Sequence, residues 1–520
     1  MKKKSAPFTR LDILFTALVG LWSFALYVRT LAPSVLSTDY AEFQTLFYTL
    51  GMTHPTGYPV HVLIGRIFTL IPIRSIAYRA NLSSAFFAAV VIAEIYLIVY
   101  LLGRRRIAAL SSALLLAHLP LFWQFAIIAE SYSIASAFSL TILLLILLWR
   151  EKGSWHFLFF AGLLGGASLG VHGGIAMAAP AIAFYLLLTA RKRDAWVGGI
   201  TGTLVGIAIL SASFFYIDQN DPPSSIYNSV YRPSLSHWNI TEEEFDTPLE
   251  RLSIIFPLGS SGSFFFNVPQ EIIIKRLDIY KKNYSVLIWA TFFIGLLSLF
   301  FIKDRQNRSR WPEAILIFGT FLPIWLFALT VNVSLYDQFF TLSDPFIYIW
   351  VGLGTSLILT LLASIKMQKK QKKILIAALS MLIIAAPFLQ ANKSLQSAWT
   401  LGYTRDIEKR GLIPVHAPEQ KARLAKRVVN KLEENAIVFA EWDTLYAYYY
   451  IAHVERGLTG IAFHQAYIGD GTTEVTQSLA AYIAQNIDKR PIYTTIRLRD
   501  LENLYIFEEV GDNLMKLHKR

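Results

Sequence analysis

The sequence predicts a mainly α, polytopic membrane helical bundle with about 11 transmembrane helices and a small C-terminal α/β domain outside the cytoplasm. Three observations predict it. Hydrophobic residues make up 54% of the chain and charged ones only 16%, with a mean hydropathy of +0.44. Soluble domains carry about 25% charged residues. Apolar runs long enough to span a bilayer recur along the chain, and lipid forces each to satisfy its own backbone as a helix. After about residue 391 the runs stop, and helical and strand-like stretches alternate instead.

The spans follow in order. The first, about 11–31, comes after Lys2, Lys3 and Lys4 and reads as a retained span rather than a cleaved signal, because it lacks a small-x-small cleavage site. The second, about 80–102, ends at Arg104, Arg105 and Arg106. The third and fourth, about 107–126 and 132–149, lead to Arg150 and Lys152. The fifth and sixth, about 156–170 and 173–190, lead to Arg191, Lys192 and Arg193, and the seventh covers about 196–216. The eighth, about 285–302, precedes Lys303, Arg305, Arg308 and Arg310. The ninth and tenth, about 312–331 and 344–365, lead to Lys369, Lys370, Lys372 and Lys373, and the last covers about 374–390.

Every basic cluster falls on one side, which the positive-inside rule makes the cytoplasm. The N-terminus is then cytoplasmic. Loops 32–79 and 217–284, and a domain at 391–520, lie outside, with the bundle at 1–390. The net charge of +12 is therefore a topology signal and not a nucleic-acid surface. The chain has no cysteine, which excludes disulfides and thiolate metal sites. In the outer domain, "EQKARLAKRVVNKLEEN" has the rhythm of an amphipathic helix, "AIVFA" and "PIYTTIR" read as strands, and "TEVTQSLAAYIAQNI" reads as a helix.

The first outer loop holds the chemistry. Asp39 and Glu42 are three residues apart, so a helix puts them on one face. One carboxylate can then act as a base while the other orients a substrate. The plain alternative is a solvated helix start favoured by the helix dipole. "HPTGYP" interrupts helix at Pro55 and Pro59 and turns at Gly57, with His54 and Tyr58 flanking the bend. Arg66 and Arg79 read either as interfacial side chains or as a planar-fork clamp for phosphate. Glu130 ends an outer hairpin, and His172 sits among Gly170, Gly173 and Gly174. Polar residues at such depth usually face an interior or a cavity.

The first-loop motifs resemble a family pattern: D-x-x-E-F, then HP-x-GYP, R-x-N and AE-x-Y, present as "DYAEF", "HPTGYP", "RAN" at Arg79–Asn81 and "AESY". The pattern is similar to the bacterial membrane family related to the eukaryotic O-mannosyltransferase of plexin-type receptors, and so to the GT-C glycosyltransferases. It covers about residues 30–180. Beyond that, "LYDQFF" keeps Asp337 and Phe340 but has Leu335 or Tyr336 in place of a basic residue. "EWDT" keeps Asp443 and Thr444 with Glu441 and Trp442 replacing the usual Asp and Asn.

The resemblance implies an inverting glycosyltransferase in the cytoplasmic membrane of a bacterium. It implies transfer of a sugar, mannose by analogy with the eukaryotic relative, from a polyprenyl-phosphate donor to a hydroxyl of a protein or glycan acceptor outside the cytoplasm. Asp39 is the implied base and Glu42 orients a substrate. Arg66 and Arg79 balance the leaving phosphate, directly or through a divalent cation. His54, Tyr58, Glu130 and His172 complete the binding candidates. No obligatory metal or cofactor is expected, and Mg²⁺ or Mn²⁺ is optional. Membrane lipids are partners and nucleic acid is not. The competing readings are a transporter or flippase of lipid-linked sugars and a non-catalytic membrane anchor. The two halves of the bundle show no repeat, which argues against a transporter.

Overall fold

A computed structural model describes residues 6–256, 268–304, 306–332, 337–401, 418–466 and 475–520. The bundle contains α1 (Arg10–Arg29), α2 (Thr38–Thr49), α3 (Pro59–Thr69), α4 (Ile76–Gly103), α5 (Arg106–Ala117), α6 (Pro120–Ala126), α7 (Ser131–Lys152) and α8 (His156–Ala167). It continues with α9 (Ala179–Thr189), α10 (Arg193–Asn220), α11 (Pro248–Ile255), α12 (Gln270–Asn283), α13 (Val286–Phe301), α14 (Trp311–Thr330), α15 (Phe340–Ser364) and α16 (Lys369–Leu401).

Among the described residues, seven helices are long and apolar enough to cross a membrane alone, in α1, α4, α7, α10, α14, α15 and α16. The expected third span is bent by 66° between α5 and α6, where Pro120 cannot continue the α5 ladder. The expected fifth, sixth and eighth spans are shorter apolar helices. Eleven apolar segments result only when these are included. Large apolar side chains such as Leu18 and Leu21 on α1, Leu204 on α10 and Met381 on α16 are exposed, as a lipid-facing surface requires.

Glycines set the closest helix contacts. A Cβ on Gly202 of α10 would lie 1.9 Å from the Phe159 carbonyl oxygen of α8. Lipid gives helices little hydrophobic reason to associate, so such backbone-to-backbone approach supplies the packing.

Residues of three basic clusters meet acidic partners at one end of the bundle. Arg106 Nε donates to Asp12 Oδ1 at 2.6 Å, Arg310 Nη2 donates to Glu151 Oε1 at 2.7 Å, and Arg150 lies 3.6 Å from Glu313. Loops that are far apart in sequence therefore share one face of the bundle.

The C-terminal unit contains α17 (Pro418–Val429), β1 (Ile437–Ala440), α18 (Trp442–Tyr449), β2 (Ala462–Gln465), α19 (Gln477–Asn486), β3 (Ile492–Thr494), β4 (Tyr505–Gly511) and β5 (Leu514–Lys519). Its sheet has the order β2-β1-β3-β5-β4, with β1 parallel to β2 and β3, and β5 antiparallel to β3 and β4. The expected helices and strands are present; the β4–β5 hairpin was not anticipated.

Two expectations about this unit need correction. The boundary at residue 390 falls inside α16, which runs on past Pro387 to Leu401. The unit is also not a separate appendage. Phe43, Leu46 and Phe47 of α2 share one core with Leu445, Tyr446 and Tyr449 of α18 and with Tyr227 and Tyr231 of the second outer loop.

Candidate active site

The site is built where α2, the α2–α3 turn, the start of α7 and α18 meet. Asp39 lies in the first turn of α2 and is half-buried, while Glu42, one turn on, is fully buried. Glu42 meets His54 through both of its oxygens. Its Oε1 accepts the His54 backbone N–H at 2.8 Å, and its Oε2 pairs with His54 Nδ1. Burial works against the His54 imidazolium, but the Glu42 and Asp39 carboxylates outweigh it and raise His54 to about 10. His54 is therefore a cation at neutral pH.

The turn after His54 follows from its sequence. Gly57 has φ +78°, a conformation that disfavours other residues, and its N–H donates to the His54 carbonyl at 2.7 Å. Pro59 then opens α3 at a position that needs no backbone donor. This turn brings the Tyr58 ring to 5.2 Å from His54 and 6.1 Å from His172.

His172 occupies the break between two 3₁₀ turns, Ser168–Gly170 and Gly173–Ala178, where its Nδ1 accepts the Gly174 N–H at 2.9 Å. Tyr132 packs on its other side at 5.2 Å. Glu130 caps α7 through the Ser131 N–H at 3.0 Å. Burial first, and then the Asp39 charge, push its carboxyl up to about 8.

Asn81 explains the R-x-N motif. Its Oδ1 accepts from Gln44 Nε2 and from the Ala129 N–H, both at 2.8 Å, and its Nδ2 donates to the Ala32 carbonyl at 2.9 Å. One buried amide thus ties α2, the first loop and the Glu130 segment together.

The structure brings Asp39, Glu42, His54, Tyr58, Glu130 and His172 together and leaves the two arginines elsewhere. Arg79 donates to the carbonyls of Thr69, Ile73 and Arg74, bracing the α3–α4 turn. Arg66 donates to the Tyr48 carbonyl at 2.8 Å and lies over the Tyr48 ring. The phosphate clamp expected of Arg66 and Arg79 is not supported, because both guanidiniums serve the loop backbone. Of the looser family stretches, Asp443 pairs with Lys421 and Phe340 packs on Tyr280 at 5.1 Å. Leu335 and Tyr336 lie outside the described residues.

Sequence reasoning missed two neighbours. His61 lies in the first turn of α3, packed against Phe43 and Phe47 at 5.0 and 4.9 Å. Its Nδ1 is buried without a hydrogen-bond partner among the described residues. Trp442 donates its Nε1–H to Asp39 Oδ1 at 2.7 Å across 403 residues, which no local pattern reveals.

An apolar cavity of about 420 Å³ lies between α7, α8, α9, α10 and α14. Ser168, Ile175 and Ala176, which flank His172, belong to its lining; neither Arg66 nor Arg79 does.

The comparisons bear on this site directly. Residues 39–195 match the family model for the Protein O-mannosyl-transferase TMEM260 N-terminal domain. That segment contains every one of the clustered residues except Trp442. The chain is 33% identical over 115 residues to "Protein O-mannosyl-transferase TMEM260" of Mus musculus, covering 22% of this chain and 16% of that protein. It is 32% identical over 116 residues to the Dictyostelium discoideum protein of the same name, covering 22% and 14%. The matched stretch is thus about a sixth of those relatives' length. Over its whole length the fold is similar to that of ArnT from Cupriavidus metallidurans bound to undecaprenyl phosphate. The TM-score is 0.56 at 12% identity, covering 98% of this chain and 97% of that one. The apo form of that ArnT gives 0.55 at 12% identity, covering 97% of each chain. The fold is GT-C, in a multi-pass membrane protein.

Proposed function

We propose that the protein is an inverting membrane glycosyltransferase that moves a sugar from a polyprenyl-phosphate donor to a hydroxyl of a protein acceptor. The observation that carries this reading is the carboxylate–histidine cluster, with an apolar cavity among α7, α8, α9, α10 and α14 whose lining includes Ser168 and Ile175 on either side of His172 in sequence. A polyprenyl tail gains from burying its apolar surface there, at about 25 cal/mol per Å². The ArnT neighbour was solved with undecaprenyl phosphate, and the relatives are named O-mannosyl-transferases, which favours mannose as the sugar.

Asp39 is the base. One of its oxygens accepts from Trp442, and Oδ2 has no protein partner among the described residues. The acceptor hydroxyl gives its proton to Asp39 as its oxygen bonds to the anomeric carbon. The bond from that carbon to the phosphate oxygen breaks with inversion, and polyprenyl phosphate leaves with the bonding pair. His54, held cationic by Glu42, and protonated Glu130 take over the task first given to the arginines. They meet the charge that grows on the leaving phosphate.

The described residues include no group of three or more ligating side chains placed to hold a metal ion. Glu42 has both oxygens on His54, so a Mg²⁺ or Mn²⁺ would rely on Asp39 Oδ2, donor phosphate and water. Its contribution would be neutralisation of the phosphate.

Transfer of labelled mannose from polyprenyl-phosphate mannose to a Ser/Thr-containing peptide by the purified protein tests the reading. Recovery of intact donor on the other face of a vesicle, with no transfer, would instead support a flippase.

A pH profile tests Glu130. Its protonated carboxyl can donate to phosphate and is lost as pH rises through about 8, so transfer should fall above that pH. Glu130→Gln keeps a donor at every pH and should remove the alkaline fall. An unchanged fall in the variant assigns it to a different group.

We further propose a bacterial cytoplasmic-membrane location with the ion-paired end inside and the C-terminal unit outside, as the basic loops argue. Reporter fusions after Lys369 and after Lys393 should report opposite compartments. The same compartment for both would reject an outer C-terminal unit.

A further inference from the structure

The C-terminal α/β unit contributes a side chain to the reacting end of the molecule. We propose that Trp442 is a positioning residue for Asp39, so that the site is complete only when this unit is docked. The proposal rests on the reading of Asp39 as the base.

The geometry has three parts. The indole N–H of Trp442, the first residue of α18, donates to Asp39 Oδ1 at 2.7 Å. The indole is itself held, edge-on to Tyr446 at 5.3 Å and to His54 at 6.2 Å. The helix that carries it is seated on the outer loops by bonds remote from Asp39. Thr45 Oγ1 donates to the Tyr446 carbonyl at 3.1 Å, and the Ala77 N–H donates to the Tyr450 hydroxyl at 2.9 Å. Lys421 of α17 pairs with Asp443 and fixes the start of α18 from the other side.

The consequence is mechanical. Asp39 stands half-buried in the first turn of α2, and an exposed part of its carboxylate leaves more than one rotamer open to it. The indole accepts no hydrogen bond and offers one N–H, so it selects the rotamer that turns Oδ2 away from Trp442. A base held in one orientation reaches the acceptor hydroxyl without reorganising. Small misplacements at a reacting centre cost up to about 100-fold in rate.

Trp442→Phe in the full-length protein keeps a ring against Tyr446 and His54 and removes the N–H. We expect kcat to fall about 10- to 100-fold, with the donor KM and the melting temperature little changed. Benzothienylalanine at position 442 replaces the N–H with sulfur at nearly constant shape and should behave alike, even where Phe perturbs folding. Tyr450→Phe removes one hydrogen bond remote from Asp39 while the shared core keeps the unit docked, so kcat should stay within a few-fold. The double variant Asp39→Asn with Trp442→Phe should be no slower than Asp39→Asn alone. Normal kcat in the benzothienylalanine protein would overturn the proposal, as would an equal loss in Tyr450→Phe. Full activity of Asp39→Asn would instead reject Asp39 as the base, a separate outcome.

Discussion

Asp39→Asn is expected to slow sugar transfer by about 10²–10⁴-fold, the usual consequence of losing a general base. The change preserves size and can still accept the Trp442 N–H through the amide oxygen, so the local fold should persist. It removes the atom that takes the acceptor proton. Donor binding should change little, because the proposed donor contacts, the cavity, His54 and Glu130, are untouched. The measurement is single-turnover transfer alongside donor affinity, on protein of wild-type melting temperature. Transfer at the normal rate would move the base elsewhere, with Glu130 next.

Glu42→Leu is expected to act on the fold. Glu42 is fully buried and satisfies both the backbone N–H and the ring of His54. Removing one member of a buried pair costs roughly 3–5 kcal/mol, since the partner is left uncompensated. The first outer loop and the docked C-terminal unit share a core with α2, so both should loosen. The pH dependence gives the sign. His54 is raised from 6.5 to about 10 in the folded protein. Its contribution is complete below pH 6.5 and is lost as pH rises through 10. Wild-type melting temperature should therefore decline over that window, and the decline should be shallower in Glu42→Leu. Glu42→Gln, which keeps the shape and one acceptor, should lie between the two. A Glu42→Leu protein with wild-type melting temperature and the wild-type pH slope would show that the pair does not hold the loop.

The spacing of Asp39 and Glu42 shows why one shared helix face does not imply one shared role. Both point toward the same region, yet only Asp39 keeps an oxygen free, because the HPTGYP turn folds His54 back onto Glu42. The family motifs named residues that the fold clusters, but not which of them bond to one another. The arginines show the opposite case. Arg66 and Arg79 suited a phosphate by type and by depth, but a guanidinium bonds the nearest good acceptors. Here those are carbonyls left open where α2 and α3 end.

The sequence by itself determined the membrane class, the order of apolar segments, the alternation in the C-terminal unit and the first-loop motifs whose side chains the fold gathers into one cluster. Each rests on local properties: hydropathy over a span, period along a helix, and turn residues at fixed offsets. Only the tertiary structure decided that Asn81 joins three segments and that Trp442 meets Asp39. These depend on contacts between residues tens to hundreds of positions apart. Their partners are chosen by how the helices pack, and the residues near them in sequence do not encode that choice.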